Sequence, residues 1–168
     1  FYFLSLTVYL LPRSKNNVSS PWAVKKCLKL KNAKDSDKQY AKRLAVEAEI
    51  LRTLIHPNIV GFRAYEQSAD GRFNLCMEAC TTSLGDLLER RHDKKLGALE
   101  VGKIHRLGWD ITKALNYLHT EALLLHGDMK SFNILVKGDF AVCKLCDFGV
   151  SIYIKSDGMI DFDKNPAA

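Results

Sequence analysis

Paired cysteines, long apolar runs and internal repeats are scarce in this chain of 168 residues. Its five cysteines are an odd number with no secretory pattern before them, which argues against a disulfide framework. Cys143 and Cys146 have the spacing of half a zinc site, but no second ligand pair accompanies them. They fall in a strand-like run, where positions three apart face opposite ways, so Cys143 reads as a buried strand cysteine. The apolar run over residues 1–11 is about eleven residues long, too short to span a bilayer, with no basic stretch before it. It reads as a strand, and no membrane partner is expected. The net charge is +6, yet basic residues over 25–42 and 90–103 alternate with acids. No basic motif interleaved with aromatics accompanies them. Solvated helix faces explain them better than a nucleic-acid surface, and no nucleic-acid partner is expected.

What remains is a chain 47% hydrophobic, enough to bury a core. Tyr40, Leu44, Ile50, Leu51 and Leu54 recur at helical spacing and predict an amphipathic helix over 37–54, ending before Pro57. Strands are predicted at 3–11, 21–28, 58–65 and 73–78. Residues 83–92 predict a short helix with Ser83 as N-cap. Residues 99–119 predict a long helix with a buried stripe of Ile104, Leu107, Ile111, Leu115 and Leu118. Strands at 134–137 and 142–146 follow. Ala69-Asp-Gly-Arg72 and Lys137-Gly-Asp139 predict hairpin turns.

The chemistry concentrates behind the long helix. His126-Gly-Asp-Met-Lys-Ser-Phe-Asn133 sets an Asp, a Lys two residues later and an Asn three after that in one short segment. A second acid, in Asp147-Phe-Gly149, ends the last strand-like run. Phosphoryl transfer needs such a set: an acceptor for a hydroxyl proton, a cation near the moving phosphate, and oxygen ligands for Mg²⁺.

Order and spacing resemble the catalytic and metal-binding loops of eukaryotic protein kinases. Trp22-Ala-Val-Lys25 resembles the family's strand lysine motif, and Glu47-Ala-Glu-Ile-Leu-Arg-Thr-Leu-Ile-His-Pro-Asn-Ile-Val60 its helix αC and exit. The resemblance implies an α+β, protein-kinase-like fold. A small antiparallel N-lobe with helix αC would cover 1–78, and a hinge with the first, mainly helical part of the C-lobe would cover 79–168. It implies ATP and Mg²⁺ as cofactors and Ser/Thr hydroxyls of proteins as substrates, with Tyr left open. Asp128, Lys130 and Asn133 would be catalytic. Lys25 would hold the ATP phosphates, paired with Glu47 rather than Glu49. Met77, Glu78 and Cys80 would border the adenine. Asn133 and Asp147 would hold the metal. Cys146, next to Asp147, would line the nucleotide site, as a reactive thiolate or as an inert thiol. The implied setting is cytoplasmic or nuclear.

Lys130, two after Asp128, is the family's Ser/Thr pattern, and Leu145-Cys-Asp-Phe-Gly-Val-Ser151 resembles the MAP-kinase-kinase group. The resemblance covers about residues 8 to 152. It fails in front, where Phe1-Tyr-Phe-Leu-Ser-Leu-Thr7 stands in place of a glycine-rich loop. Glycines there let backbone N–H groups approach phosphates. The family's Ala-Pro-Glu motif is absent as well, and a whole domain is expected to run to about 250 residues. The expectation is therefore a fragment, itself inactive, of an active kinase; the alternative is a pseudokinase-like or truncated interaction module. Gly127 stands where most of the family carry an Arg that pairs with a phosphorylated loop residue. It reads either as an ordinary loop glycine or as a trait of one branch.

Overall fold

The computed structural model describes residues 6–11, 22–27, 34–69 and 71–165. The chain divides into two compact units: Phe1–Thr53 with Gly61–Ala79, and Leu54–Val60 with Cys80–Ala168.

The first unit holds β1 (Leu6–Leu11), β2 (Trp22–Cys27), α1 (Lys34–Thr53), β3 (Phe62–Gln67) and β4 (Phe73–Glu78). The strands form one antiparallel sheet in the order β1-β2-β4-β3. Ala23, Val24 and Lys25 are buried in succession on β2, as are Leu75, Cys76 and Met77 on β4. These are the two inner strands, whose flanking strands cover both edges. On α1, Leu44, Glu47, Ala48 and Leu51 are buried at the 3–4–7 spacing of one helix face, with Ile50 beside them. Each Leu so buried contributes about 1.5–3 kcal/mol. The helix stops at Thr53, whose Oγ1 donates to Ile50 O, four residues before Pro57. The β3–β4 hairpin turns where expected: Ser68 N–H donates to Arg72 O, and Gly71 sits at φ +80°.

One expected strand moves. Pairing on β3 begins at Phe62 rather than 58, because 58–60 is engaged elsewhere, in the second unit. That unit holds β5 (Thr82–Ser83), α2 (Leu84–Asp93), α3 (Val101–Thr120), β6 (Leu124–Leu125), a single 3-10 turn at Ser131–Asn133, β7 (Ile134–Lys137), β8 (Val142–Leu145) and β9 (Ile152–Tyr153). β5, β7 and β8 form an antiparallel sheet, and β6 pairs with β9. Ile59 bridges Leu145 in parallel, with Val60 N–H donating to Leu145 O and Leu145 N–H to Asn58 O. Asn58 Nδ2 donates to Cys143 O, and the Lys144 ammonium to Pro57 O at 2.7 Å. Residues 57–60 are thus bonded along β8, and the segment 54–60 groups with the second compact unit.

Ser83 caps α2 as expected, its Oγ accepting from Asp86 N–H. The stripe on α3 differs from the sequence reading. Asp110, Ile111, Ala114 and Leu118 are buried, Leu107 and Leu115 are half-buried, and Ile104 is 50% exposed. Asp110 occupies the core face because one oxygen of its carboxylate is bonded twice. Its Oδ2 accepts from Arg106 Nε at 3.0 Å and from Cys143 N–H at 2.9 Å. Among the described residues no helix is long and apolar enough to cross a membrane.

Candidate active site

In the first unit, β2 and α1 bring one ion pair into the interior. Lys25 Nζ lies 2.7 Å from Glu47 Oε2, and the two residues are 7% and 3% exposed. The helix register decides the partner: Glu47 shares the buried face with Leu44 and Leu51, while Glu49 is exposed. A charge so buried persists only when paired, since removing one partner typically costs about 3–5 kcal/mol. Met77 is buried in the inner strand opposite Ala23. Glu78 N–H donates to Gly61 O at 2.8 Å, so this amide is not available to a ligand at the same time. Cys80, half-buried, belongs to the second unit.

In the second unit the loop after β6 gathers around Asp128. Its Oδ2 accepts from Lys130 Nζ at 2.6 Å and from Asn133 Nδ2 at 3.0 Å. Asn133 Nδ2 also donates to the Asp128 carbonyl at 2.8 Å. The amide thus directs both hydrogens at Asp128, and its remaining polar atom is the oxygen Oδ1. The Lys130 hydrogen bond is the main cause that holds the Asp128 carboxyl below its usual range, against an opposing push from desolvation and with further help from Asn133. The carboxylate is therefore ionised at neutral pH, and its Oδ1 makes no hydrogen bond among the described residues.

His126 ties this loop to the next. The ring is buried and meets Phe148 edge-on. Nδ1 accepts from Asp128 N–H at 3.3 Å, which assigns the ring hydrogen to Nε2, 2.9 Å from Cys146 O. Cys146 N–H donates in turn to Asn133 O at 3.0 Å. Asn133 and Asp147 therefore start from neighbouring backbone: the residue before Asp147 is bonded to Asn133 itself. Asp147 lies at φ +67°, a left-handed conformation costing a non-glycine residue about 1–3 kcal/mol. The donor set suits Mg²⁺. One amide oxygen and one carboxylate are hard ligands, and Mg²⁺ characteristically binds through few protein oxygens plus water and phosphate. No cluster of three or more His, Cys, Asp or Glu side chains that could form an all-protein cage occurs among the described residues.

A family model described as the protein kinase domain matches residues 7–165. The chain belongs to the protein kinase family. This kinase domain is 45% identical over 150 residues to human lymphokine-activated killer T-cell-originated protein kinase, covering 88% of this chain and 46% of that protein. It is 34% identical over 110 residues to the dual specificity mitogen-activated protein kinase kinase dSOR1 of Drosophila melanogaster, covering 66% of this chain and 26% of the relative. It is likewise 34% identical over 106 residues to the serine/threonine-protein kinase par-4 of Caenorhabditis elegans, covering 62% and 16%. The chain thus spans about half the length of the first of these relatives and less of the others.

The structure places Asp128, Lys130 and Asn133 in mutual contact, with Asp147 one residue beyond a backbone bond to Asn133, and Lys25 with Glu47. The glycine-free stretch 1–7 lies mostly outside the described residues. Sequence reading did not foresee His126 as a two-ended joint, nor Asp110 as the acceptor that holds β8. An acid set next to the apolar Ile111 on a helix face was the available signal for the second.

Proposed function

We propose that this domain is the ATP- and Mg²⁺-binding part of a protein kinase that phosphorylates Ser/Thr hydroxyls of proteins, in MAP-kinase-kinase-like signalling. The observation that carries the reading is the ionised Asp128 carboxylate, held by Lys130 and Asn133, with its second oxygen making no hydrogen bond among the described residues. Asp128 orients the substrate hydroxyl and takes its proton as the hydroxyl oxygen bonds to the γ-phosphorus of ATP, while the bond from that phosphorus to the β–γ bridging oxygen breaks and ADP leaves with the electron pair. Lys130 sets a cation beside that carboxylate, where charge on the transferring group is stabilised. Lys25, fixed by Glu47, holds the α- and β-phosphates, while Met77, Glu78 and Cys80 border the adenine. Asn133 Oδ1 and the Asp147 carboxylate would hold Mg²⁺, which would supply the positive charge that neutralises the phosphates. The two proposed lobes are residues 1–78 and 79–168. A cytoplasmic or nuclear setting fits ATP as substrate.

The test uses the full-length protein carrying this domain. Transfer of labelled phosphate from ATP to a Ser/Thr peptide array is expected for the parent and should be lost in Asp128→Asn. Stabilisation by Mg·ADP should be lost in Asp147→Asn. Undiminished transfer in Asp128→Asn, or none in the parent despite Mg·ADP binding, would overturn the catalytic reading.

A further inference from the structure

Two residues flanking the Asp128 loop contact share an unusual backbone: Gly127 lies at φ +81° and Asp147 at +67°. Glycine adopts this region without steric cost. In an aspartate it is strain, which persists only where surrounding contacts over-determine it. Those contacts can be named. Before Asp147, both backbone groups of Cys146 are bonded, to Asn133 O and to the His126 ring. After it the chain turns back on the loop. Ser151 N–H donates to Phe148 O, Ser151 Oγ donates to His126 O at 3.0 Å, and β9 then pairs with β6.

The remaining contact is made by an absence. A Cβ on residue 127 would lie 2.5 Å from the Val150 carbonyl oxygen. Side-chain carbons do not approach backbone oxygen that closely, and a backbone oxygen cannot swing aside as a side chain can. Only glycine admits the turn at this distance. Any larger residue, an arginine included, would push Val150 away.

We propose that Gly127 is a positioning residue for Asp147. Its missing side chain seats the Val150 carbonyl, and the seated turn keeps Asp147 in the left-handed conformation from which its carboxylate reaches the metal. The proposal rests on the kinase reading above for the metal, but not for the seat. It also makes the arrangement a property of the unmodified chain, held by packing where an arginine would need a charged partner.

Gly71 supplies a matched control, at φ +80° with nothing within 4 Å of a Cβ. Gly71→Ala and Gly127→Ala impose the same backbone strain, and only the second displaces Val150. Without metal, hydrogen exchange of a peptide covering 146–153 should speed up about tenfold or more in Gly127→Ala and stay at the parental rate in Gly71→Ala. With Mg·ADP, the Mg²⁺ concentration for half-maximal thermal stabilisation should rise about tenfold or more in Gly127→Ala alone. Equal exchange in the two variants overturns the seat. Altered exchange with unaltered Mg²⁺ dependence overturns the link to Asp147. A parent that shows no Mg²⁺ response refutes the kinase reading instead, and the exchange comparison still judges the seat. Should Gly127→Ala not fold, Ser151→Ala removes the adjacent fastening to His126 O without adding an atom. It should loosen the same peptide and raise the Mg²⁺ requirement several-fold, and parental behaviour in both measurements overturns the proposal.

Discussion

Replacing Asp110 by alanine should cost the second unit about 1–4 kcal/mol, although the residue is remote in sequence from Asp128 and Asp147. The carboxylate is 1% exposed and accepts from the N–H of Cys143, a residue with no exposed surface. Without it that N–H is buried and unsatisfied, which costs about 1–3 kcal/mol. The lost bond from Arg106 adds less, about 0–1 kcal/mol, because its side chain is half-exposed and water can replace the carboxylate. Arg106 keeps its bond to Ala141 O. Asp110→Asn retains an oxygen for Cys143 N–H and should cost about 1 kcal/mol or less. Urea and thermal unfolding followed by circular dichroism measure both variants, and the alanine variant should melt about 2–16 °C lower. An alanine variant within about 0.5 kcal/mol of the parent would refute the reasoning. So would an asparagine variant as unstable as alanine, since that would make the charge, not the accepted hydrogen bond, the source of stability.

Lys25→Met should destabilise the first unit by about 3–5 kcal/mol, while Lys25→Met with Glu47→Leu should recover most of it; additive costs in a denaturation cycle would show the 2.7 Å pair to be uncoupled. The depressed Asp128 carboxyl contributes stability that is present above its unfolded value and lost as pH falls through the lower folded value. A carboxyl carbon NMR titration should therefore give a midpoint below 3.8 that rises in Lys130→Ala, and a midpoint at or above 3.8 in the parent contradicts the Lys130 bond. Brief treatment with a thiol-directed electrophile should label half-buried Cys146 before Cys143, which is fully buried with its thiol pushed up to about 11; equal labelling by mass mapping would remove the distinction.

The parts legible in the sequence were those whose partners lie close along the chain. Asp128, Lys130 and Asn133 fall within six residues, and their side chains are hydrogen-bonded around Asp128. The Ser83 cap and the Gly71 turn are equally local. The Lys25–Glu47 pair was placed by helix register together with family resemblance. What escaped was decided by distant partners. Residues 58–60 have good strand composition, but β8 claims them before β3 can. Asp110 drew no reading from the sequence, because its partners Cys143 N–H and Arg106 are brought to it only by the fold. Ile104 reads as core on periodicity alone and is half-exposed. For Gly127 the sequence showed only that a glycine replaced a common arginine; the reason lies in a carbonyl twenty-three residues later.

The docking of 54–60 on β8 also sets a clock on biosynthesis. Asn58 and Cys143, which share a buried hydrogen bond, are 85 positions apart. At roughly 5–20 residues per second the ribosome needs about 4–17 seconds to make the second partner after the first. Through that interval α1 can already coil, but Ile59 and Val60 have no strand to lie against. The second unit cannot close until β8 has left the exit tunnel. A nascent chain paused before residue 145 would present an uncovered apolar segment, the feature by which chaperones recognise unfinished proteins.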